Sequence, residues 1–216
     1  MVDIMPRLKS ETREEHTATE RTELARAMLH GTMSRAEYKA QLLAYRSIHE
    51  AIDRGLARSS VASAIAGESS KAGRLAADLD ALAGLAYVRG PSVEEATRSL
   101  VLLIDGADAA ALLGIVYVME GSSLGAAILY PRIEAALELP PEAMSYYRGD
   151  GSVTLDRWKA FGARMNVGLA LPEQQARALA AARLTFAHIR RLFEAIRPAV
   201  DDVPDRAAAP TFVPPA

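Results

Sequence analysis

The sequence predicts an all-α fold of about seven helices in a single domain. Three observations carry that expectation. Apolar residues recur at intervals of three and four along most of the chain, the spacing that lines one face of a helix. Helix-start signals stand where those stripes begin, notably Ser34-Arg35-Ala36-Glu37, a serine with a glutamate three residues on. No stretch alternates with period two, and no Asn-Gly or Asp-Gly turn sits between β-branched runs. The 216 residues suit one domain over 1–198, followed by a Pro/Ala-rich tail over 199–216 that lacks the apolar pattern of a packed element.

Taken in order, Pro6 to Leu29 reads as a first helix. Pro6 suits a first turn, and Gly31 ends the segment. A second helix runs from Ser34 to Leu56 on the stripe Tyr38, Leu42, Tyr45, Ile48 and Ile52. Residues 59–70 are rich in Ser, Ala and Gly and fit no single element. Arg74 to Ala83 is a short helix, Gly84 to Pro91 a loop, and Ser92 opens another helix that stops before Asp105-Gly106. Asp108 is a plausible N-cap for the longest apolar helix, to Ala136, which Pro131 is expected to kink or divide. Pro140-Pro141 breaks the chain, and Tyr146 to Gly151 reads as a loop. Thr154 to Val167 is a helix. A last one starts at Leu171-Pro172, buries Leu179, Ala182, Phe186, Ile189, Phe193 and Ile196, and ends at Pro198.

Composition narrows the function classes. Net charge is −2, from 25 Lys+Arg against 27 Asp+Glu, so no basic excess attracts nucleic acid or anionic lipid. With no cysteine there is no disulfide, thiolate metal site or cysteine nucleophile. The polar N-terminus has no signal-peptide core, and no uninterrupted apolar run is read as a membrane span. A cytoplasmic monomer is the expectation.

Chemistry-bearing residues are few. None of the four histidines, His16, His30, His49 and His188, has an acidic residue three positions before it, which excludes the Glu-x-x-His di-iron pattern. His16 alone has useful company. Glu20 lies one helical turn on, placed to accept from the imidazole and fix its tautomer. The long apolar helix carries Gly121 and Gly125, also one turn apart, at a cost of about 1 kcal/mol each relative to alanine. Two glycines on one face suit either close packing of a second helix or a flat ligand on bare backbone. Set beside His16, they describe a slot with an axial nitrogen on one side and bare backbone on the other, as an iron porphyrin requires.

Larger motifs carry a resemblance. Leu8-Lys9-x-x-Thr12-Arg13-x-x-His16-x-x-x-Glu20 resembles the proximal helix of the heme oxygenases. Tyr117-Val-Met-Glu-Gly-Ser-Ser-Leu-Gly-Ala-Ala resembles the distal helix of their bacterial branch, including members found beside bacteriophytochromes. Arg164-Met165-Asn166 and the helix through Phe186 to Ile196 resemble the family's C-terminal helix. The resemblance implies a heme oxygenase-like helical fold with a glycine-kinked distal helix. It implies heme b as both cofactor and substrate, opened with O2 to biliverdin with release of ferrous iron and CO. His16 becomes the iron ligand and Glu20 its acceptor. Gly121, Ser122 and Gly125 form the distal face that tilts bound O2 toward one meso carbon. Lys9, Arg13 and Tyr117 are matched to the heme propionates, and Phe186 to the pocket lining.

The same resemblance implies an external reductase or ferredoxin as electron donor, since no flavin or nicotinamide motif is visible, and a bacteriophytochrome as bilin acceptor. Two departures stand out. Animal members carry an aspartate where this chain has Ser122, and two propionate-binding basic residues where it has Trp158 and Gly162. A heme-binding or heme-delivery protein without oxygenase activity, and a non-heme enzyme of the wider fold, such as a thiaminase-like relative, stay open at this point.

Overall fold

The computed structural model describes residues 3–67, 70–87 and 90–201. Among them are eleven α-helices and no strand. The all-α single-domain expectation holds, and the helix number exceeds the seven expected.

The expected first helix is three: α1 (Ile4–Glu11), α2 (Arg13–Glu20) and α3 (Glu23–His30). Thr12 separates the first two. Its hydroxyl donates to Leu8 O at 2.7 Å, and its backbone leaves helical geometry at φ −107°, ψ 7°. Thr22, extended at φ −64°, ψ 153°, accepts from Ala25 N and caps α3. Gly31, left-handed at φ 66°, ends α3 as the sequence suggested.

The capping box of α4 (Arg35–Ala57) is formed in both halves. Ser34 Oγ accepts from Glu37 N at 3.2 Å, and Glu37 accepts from Ser34 N at 2.6 Å. Buried Glu37 also takes Arg197 at 2.8 Å, so the cap ties α4 to the last helix. The stripe Tyr38, Leu42, Tyr45, Ile48 and Ile52 is buried throughout.

Within the ambiguous stretch lies α5 (Ser60–Ala66), capped by Ser59, whose hydroxyl accepts from Ala62 N. α6 (Ala72–Ala81) and α7 (Pro91–Asp105) follow, with Pro91 the first residue of α7 rather than the last of a loop. Residues 88 and 89 of that loop lie outside the described residues.

α8 (Ala109–Leu137) starts at the expected cap, Asp108 accepting from Ala111 N at 2.9 Å. It runs unbroken through Gly121, Gly125 and Pro131, so the proline does not divide it. Beyond Pro140-Pro141 a short 3-10 turn leads to α9 (Ser145–Arg148), where a loop was expected. Buried Asp78 is the reason: it accepts from the amides of Ser145 and Tyr146, both at 2.8 Å, and stabilises a turn of helix at its amino end. α10 (Thr154–Gly168) and α11 (Pro172–Asp201) complete the order. α11 runs past Pro198 to Asp201, so the proline does not end it as expected. Residues 202–216, most of the proposed tail, lie outside the described residues.

α8 and α11 form the central pair. α2, α3, α4 and α7 pack on α11, while α3, α4, α5, α9 and α10 pack on α8. Gly114 lets the pair close: a Cβ there would overlap the backbone of Ala178. The residues of the Arg164-Met165-Asn166 motif act as structural ties. Arg164 donates to the carbonyls of Ile65 (2.8 Å) and Ala66 (3.2 Å) at the end of α5, and Asn166 accepts from Met5 N at 3.1 Å in the first turn of α1.

α8 is long and apolar enough to cross a membrane, with mean hydropathy 1.7 over eighteen residues, which corrects the sequence reading. Half of that window is buried inside this fold, and a central core helix reaches such a composition by being surrounded by other helices.

Gly114→Ala should lower stability by about 3 kcal/mol, because overpacking against backbone cannot relax. Gly125→Ala, with open space around the new methyl, should be neutral or stabilising by up to about 1 kcal/mol. Urea unfolding of both variants checks the contrast; equal losses would refute it.

Candidate functional site

The sequence's candidate residues stand on four helices: Lys9 on α1, Arg13, His16 and Glu20 on α2, Tyr117, Gly121, Ser122 and Gly125 on α8, and Phe186 on α11. Thr12, between α1 and α2, donates its hydroxyl to Leu8 O. One helical turn beyond Thr12 stands His16, and one turn beyond Tyr117 stands Gly121. Burial pushes the Tyr117 phenol above its usual range.

His16 Nδ1 lies 3.4 Å from Glu20 Oε2, with the two side chains 55 % and 64 % exposed. So open a pair adds little stability. Its use is orientation: with Nδ1 turned to a carboxylate, Nε2 is the nitrogen left for a ligand. Phe186 of α11 meets the imidazole edge-on, centroids 5.4 Å apart, and Thr19 Oγ1 donates to Phe186 O at 3.4 Å, seating α2 on α11. Lys9 and Arg13 are exposed. Arg13 lines a shallow groove of about 540 Å³ with Ser10, Glu14, Thr17, Ala18 and Arg21.

The glycine face of α8 is covered by a side chain at one position and open at the other. A Cβ on Gly121 would meet only the indole of Trp158, at 3.4 Å, and one on Gly125 would meet nothing within 4 Å. Gly121 thus faces a side chain of α10, while the approach of a second helix's backbone is at Gly114. Trp158 lies between Tyr117 and Phe161, centroids 5.6 and 5.7 Å away. Gly162, the second departure, faces the side chain of Met5 at 3.3 Å from a would-be Cβ.

Beside that face is a buried polar group. Ser122 Oγ donates to Met119 O at 2.6 Å. The Tyr146 hydroxyl is 3.5 Å from His49 Nε2. His49 is 2 % exposed, and burial, aided by the charge of Lys71, pushes its pKa down to about 3. Glu120 pairs with Lys71 at 2.7 Å. Burial raises the phenols of Tyr146 and Tyr147 well above their usual range, and Tyr147 donates to Gln41 at 2.6 Å.

Sequence reasoning passed over His49, although its place one turn after Tyr45 on a buried stripe was a usable signal. Nothing local pointed to Asp78, Tyr146 or the indole over Gly121, whose partners are distant in sequence. Among the described residues no three of His, Cys, Asp or Glu converge as a metal-binding group.

A family model described as heme oxygenase matches residues 2–195. A search of curated proteins gives no match. Among solved structures, a heme oxygenase from Leptospira interrogans is similar with TM-score 0.78 at 20 % identity, covering 89 % of this chain and 99 % of that one. A Synechocystis heme oxygenase in complex with heme and NO gives TM-score 0.81 at 18 % identity, covering 93 % and 87 %. A domain of unknown function with a heme oxygenase-like fold, from Shewanella denitrificans, gives 0.70 at 12 % identity, covering 97 % and 100 %.

The buried imidazole sets a pH dependence. Its folded pKa of about 3 lies below the ordinary 6.5, so between these values the unfolded chain binds a proton that the folded chain refuses. The stabilisation is complete above pH 6.5 and is lost as pH falls. Between about pH 6 and 5, before most carboxylates titrate, His49→Gln should flatten the fall in unfolding free energy by up to about 1.4 kcal/mol per pH unit. Urea unfolding across that range measures it, and parallel slopes would refute it.

Proposed function

The chain belongs to the heme oxygenase family, and from that premise we propose that it cleaves heme oxidatively to biliverdin, releasing ferrous iron and CO. O2 and electrons from an external reductase or ferredoxin drive the reaction, and a bacteriophytochrome is the proposed acceptor of the bilin. The observation that carries the proposal is the bare backbone at Gly125, where a Cβ would meet none of the described residues within 4 Å, one turn beyond Gly121 on α8. The heme and NO bound in the Synechocystis relative support a heme with a diatomic ligand as the occupant.

The residues present fit that group. When bound, the heme supplies both the iron that takes O2 and the carbon that is oxidised. His16 offers Nε2 to the iron, and Glu20 holds the imidazole in the matching tautomer. The edge of Phe186 fixes the ring plane of His16. Gly121 and Gly125 admit the macrocycle where any Cβ would hold it off. Arg13 and Lys9, both exposed, meet carboxylates at the mouth of the slot. Tyr117, its ring 5.6 Å from that of Trp158, stands one turn before Gly121 for the propionate role implied by resemblance.

Hemin titration should give a Soret band with a stoichiometry of one, and ascorbate in air should replace it with the broad red absorbance of a bilin. Trp158 is the sole tryptophan, so its emission should be quenched with the same midpoint. His16→Ala should abolish the native Soret band and turnover. A Soret band that persists under reductant would identify a heme-binding protein without oxygenase activity. Gly125→Leu should keep stability within about 0.5 kcal/mol, since it meets open space, yet weaken hemin binding at least about tenfold. Unchanged affinity would place the heme elsewhere.

A further inference from the structure

Between the packed end of α9 and the packed half of α10 runs a strap, from Arg148 to Ala160, in which no residue is buried. Its apolar side chains Val153 and Leu155 are 50 % and 51 % exposed, so apolar burial holds little of it in place. Both of its ends are firm. Buried Asp78 accepts from the amides of Ser145 and Tyr146 before it. After it, Phe161 and Met165 are buried, and Arg164 and Asn166 tie α10 to α5 and α1.

Charge holds the strap between those ends. Asp150 Oδ1 accepts from Arg74 of α6, and Asp150 Oδ2 lies 3.3 Å from Arg157 Nη1 of α10. Burial of the Asp150 carboxyl raises its pKa, but Arg74, Arg157 and Lys71 outweigh that and hold it below the usual carboxylate range. Lys71 in turn pairs at 2.7 Å with Glu120, the residue before Gly121. On either side of Asp150 stand Gly149 and Gly151, both left-handed, at φ 61° and 60°. Two glycines flanking one clamped carboxylate are pivots on either side of a clasp.

The strap also carries Trp158, the residue after Arg157. Its Cη2 and Cζ3 lie 3.4 and 3.7 Å from the position of a Cβ on Gly121. The clasp at Asp150 and the cover on Gly121 therefore belong to one segment.

We propose that Asp150 is a positioning residue: by holding Arg157 of α10 to Arg74 of α6 it keeps the indole of Trp158 on Gly121, and release of these ion pairs lets the strap turn about Gly149 and Gly151 and uncovers the glycine face. The consequence for heme rests on the heme oxygenase reading; the motion itself does not.

Trp158 is the sole tryptophan, so its emission in the ligand-free protein reports the strap. Acrylamide quenching should rise at least about 1.5-fold in Asp150→Asn and equally in Arg74→Gln, with no further rise in the double variant, because both break the same clasp. About 1 M NaCl should bring the wild type toward the Asp150→Asn value and leave that variant unchanged. Hemin association, followed at the Soret band by stopped flow, should quicken about threefold in Asp150→Asn, as the loss of partly exposed ion pairs raises the open share of the strap. In Trp158→Ala association should be fast from the start, and Asp150→Asn should add nothing to it. Quenching equal to wild type in both single variants overturns the proposal, as does a gain in hemin rate that persists on the Trp158→Ala background. Should Asp150→Asn not fold, Arg74→Gln and the salt dependence decide in its place. Wild-type protein that takes no hemin overturns the heme oxygenase reading, and the quenching then decides the motion alone.

Discussion

The approach of α8 to α11 is the constraint on which the remaining structure depends. At Gly114 the two backbones meet with no room for a methyl group. Such closeness gains dispersion contacts along both helices and fixes their relative rotation. That rotation determines what the rest of α8 presents. Once Gly114 faces α11, Gly121 lies under Trp158 and Gly125 lies in the open. Phe186, further along α11, is set against His16 by the same packing, with Thr19 completing the attachment of α2. The two sides of the proposed heme slot are thus referred to one rigid pair.

Much of this was legible in the sequence. Helix-start signals at Ser34 and Asp108, and the left-handed stop at Gly31, depend on residues a few positions apart, and each formed as read. The pairing of His16 with Glu20 is likewise local, one turn of helix. What escaped reading was set by partners far along the chain. Asp78 turns an expected loop into α9 from a position 67 residues before Ser145. Thr12 and Thr22 split the first helix through hydroxyl bonds that any threonine is able to make, with no pattern to say which one will. The glycines at 121 and 125 are marked by their spacing of one turn, while Gly114, which meets the backbone of α11, had no local partner to mark it.

The interior is unusual in how it handles polar groups. Tyr38, Tyr45, Tyr146, Tyr147, Gln41 and His49 are all buried on one side of α8. Each uncompensated group there costs on the order of 1–3 kcal/mol, so their bonds specify a particular arrangement rather than adding net stability. Tyr38 donates to Ala143 O at 2.9 Å and Tyr147 to Gln41, holding the segment after Pro140-Pro141 against α4. An apolar core of equal size would tolerate sliding at this junction; hydrogen bonds with fixed directions do not. Lys71 and Glu120 close the cluster with a charge pair, so that side of α8 is both dry and electrically balanced.

The indole of Trp158 covers Gly121, at 3.4 Å from a would-be Cβ, while Gly125 one turn on is open. A tethered side chain is present at constant effective concentration beside the backbone it covers and cannot be diluted away. Any molecule that is to reach the backbone at Gly121 has first to displace that indole, so its observed affinity is its intrinsic affinity reduced by the share of time the indole holds the place.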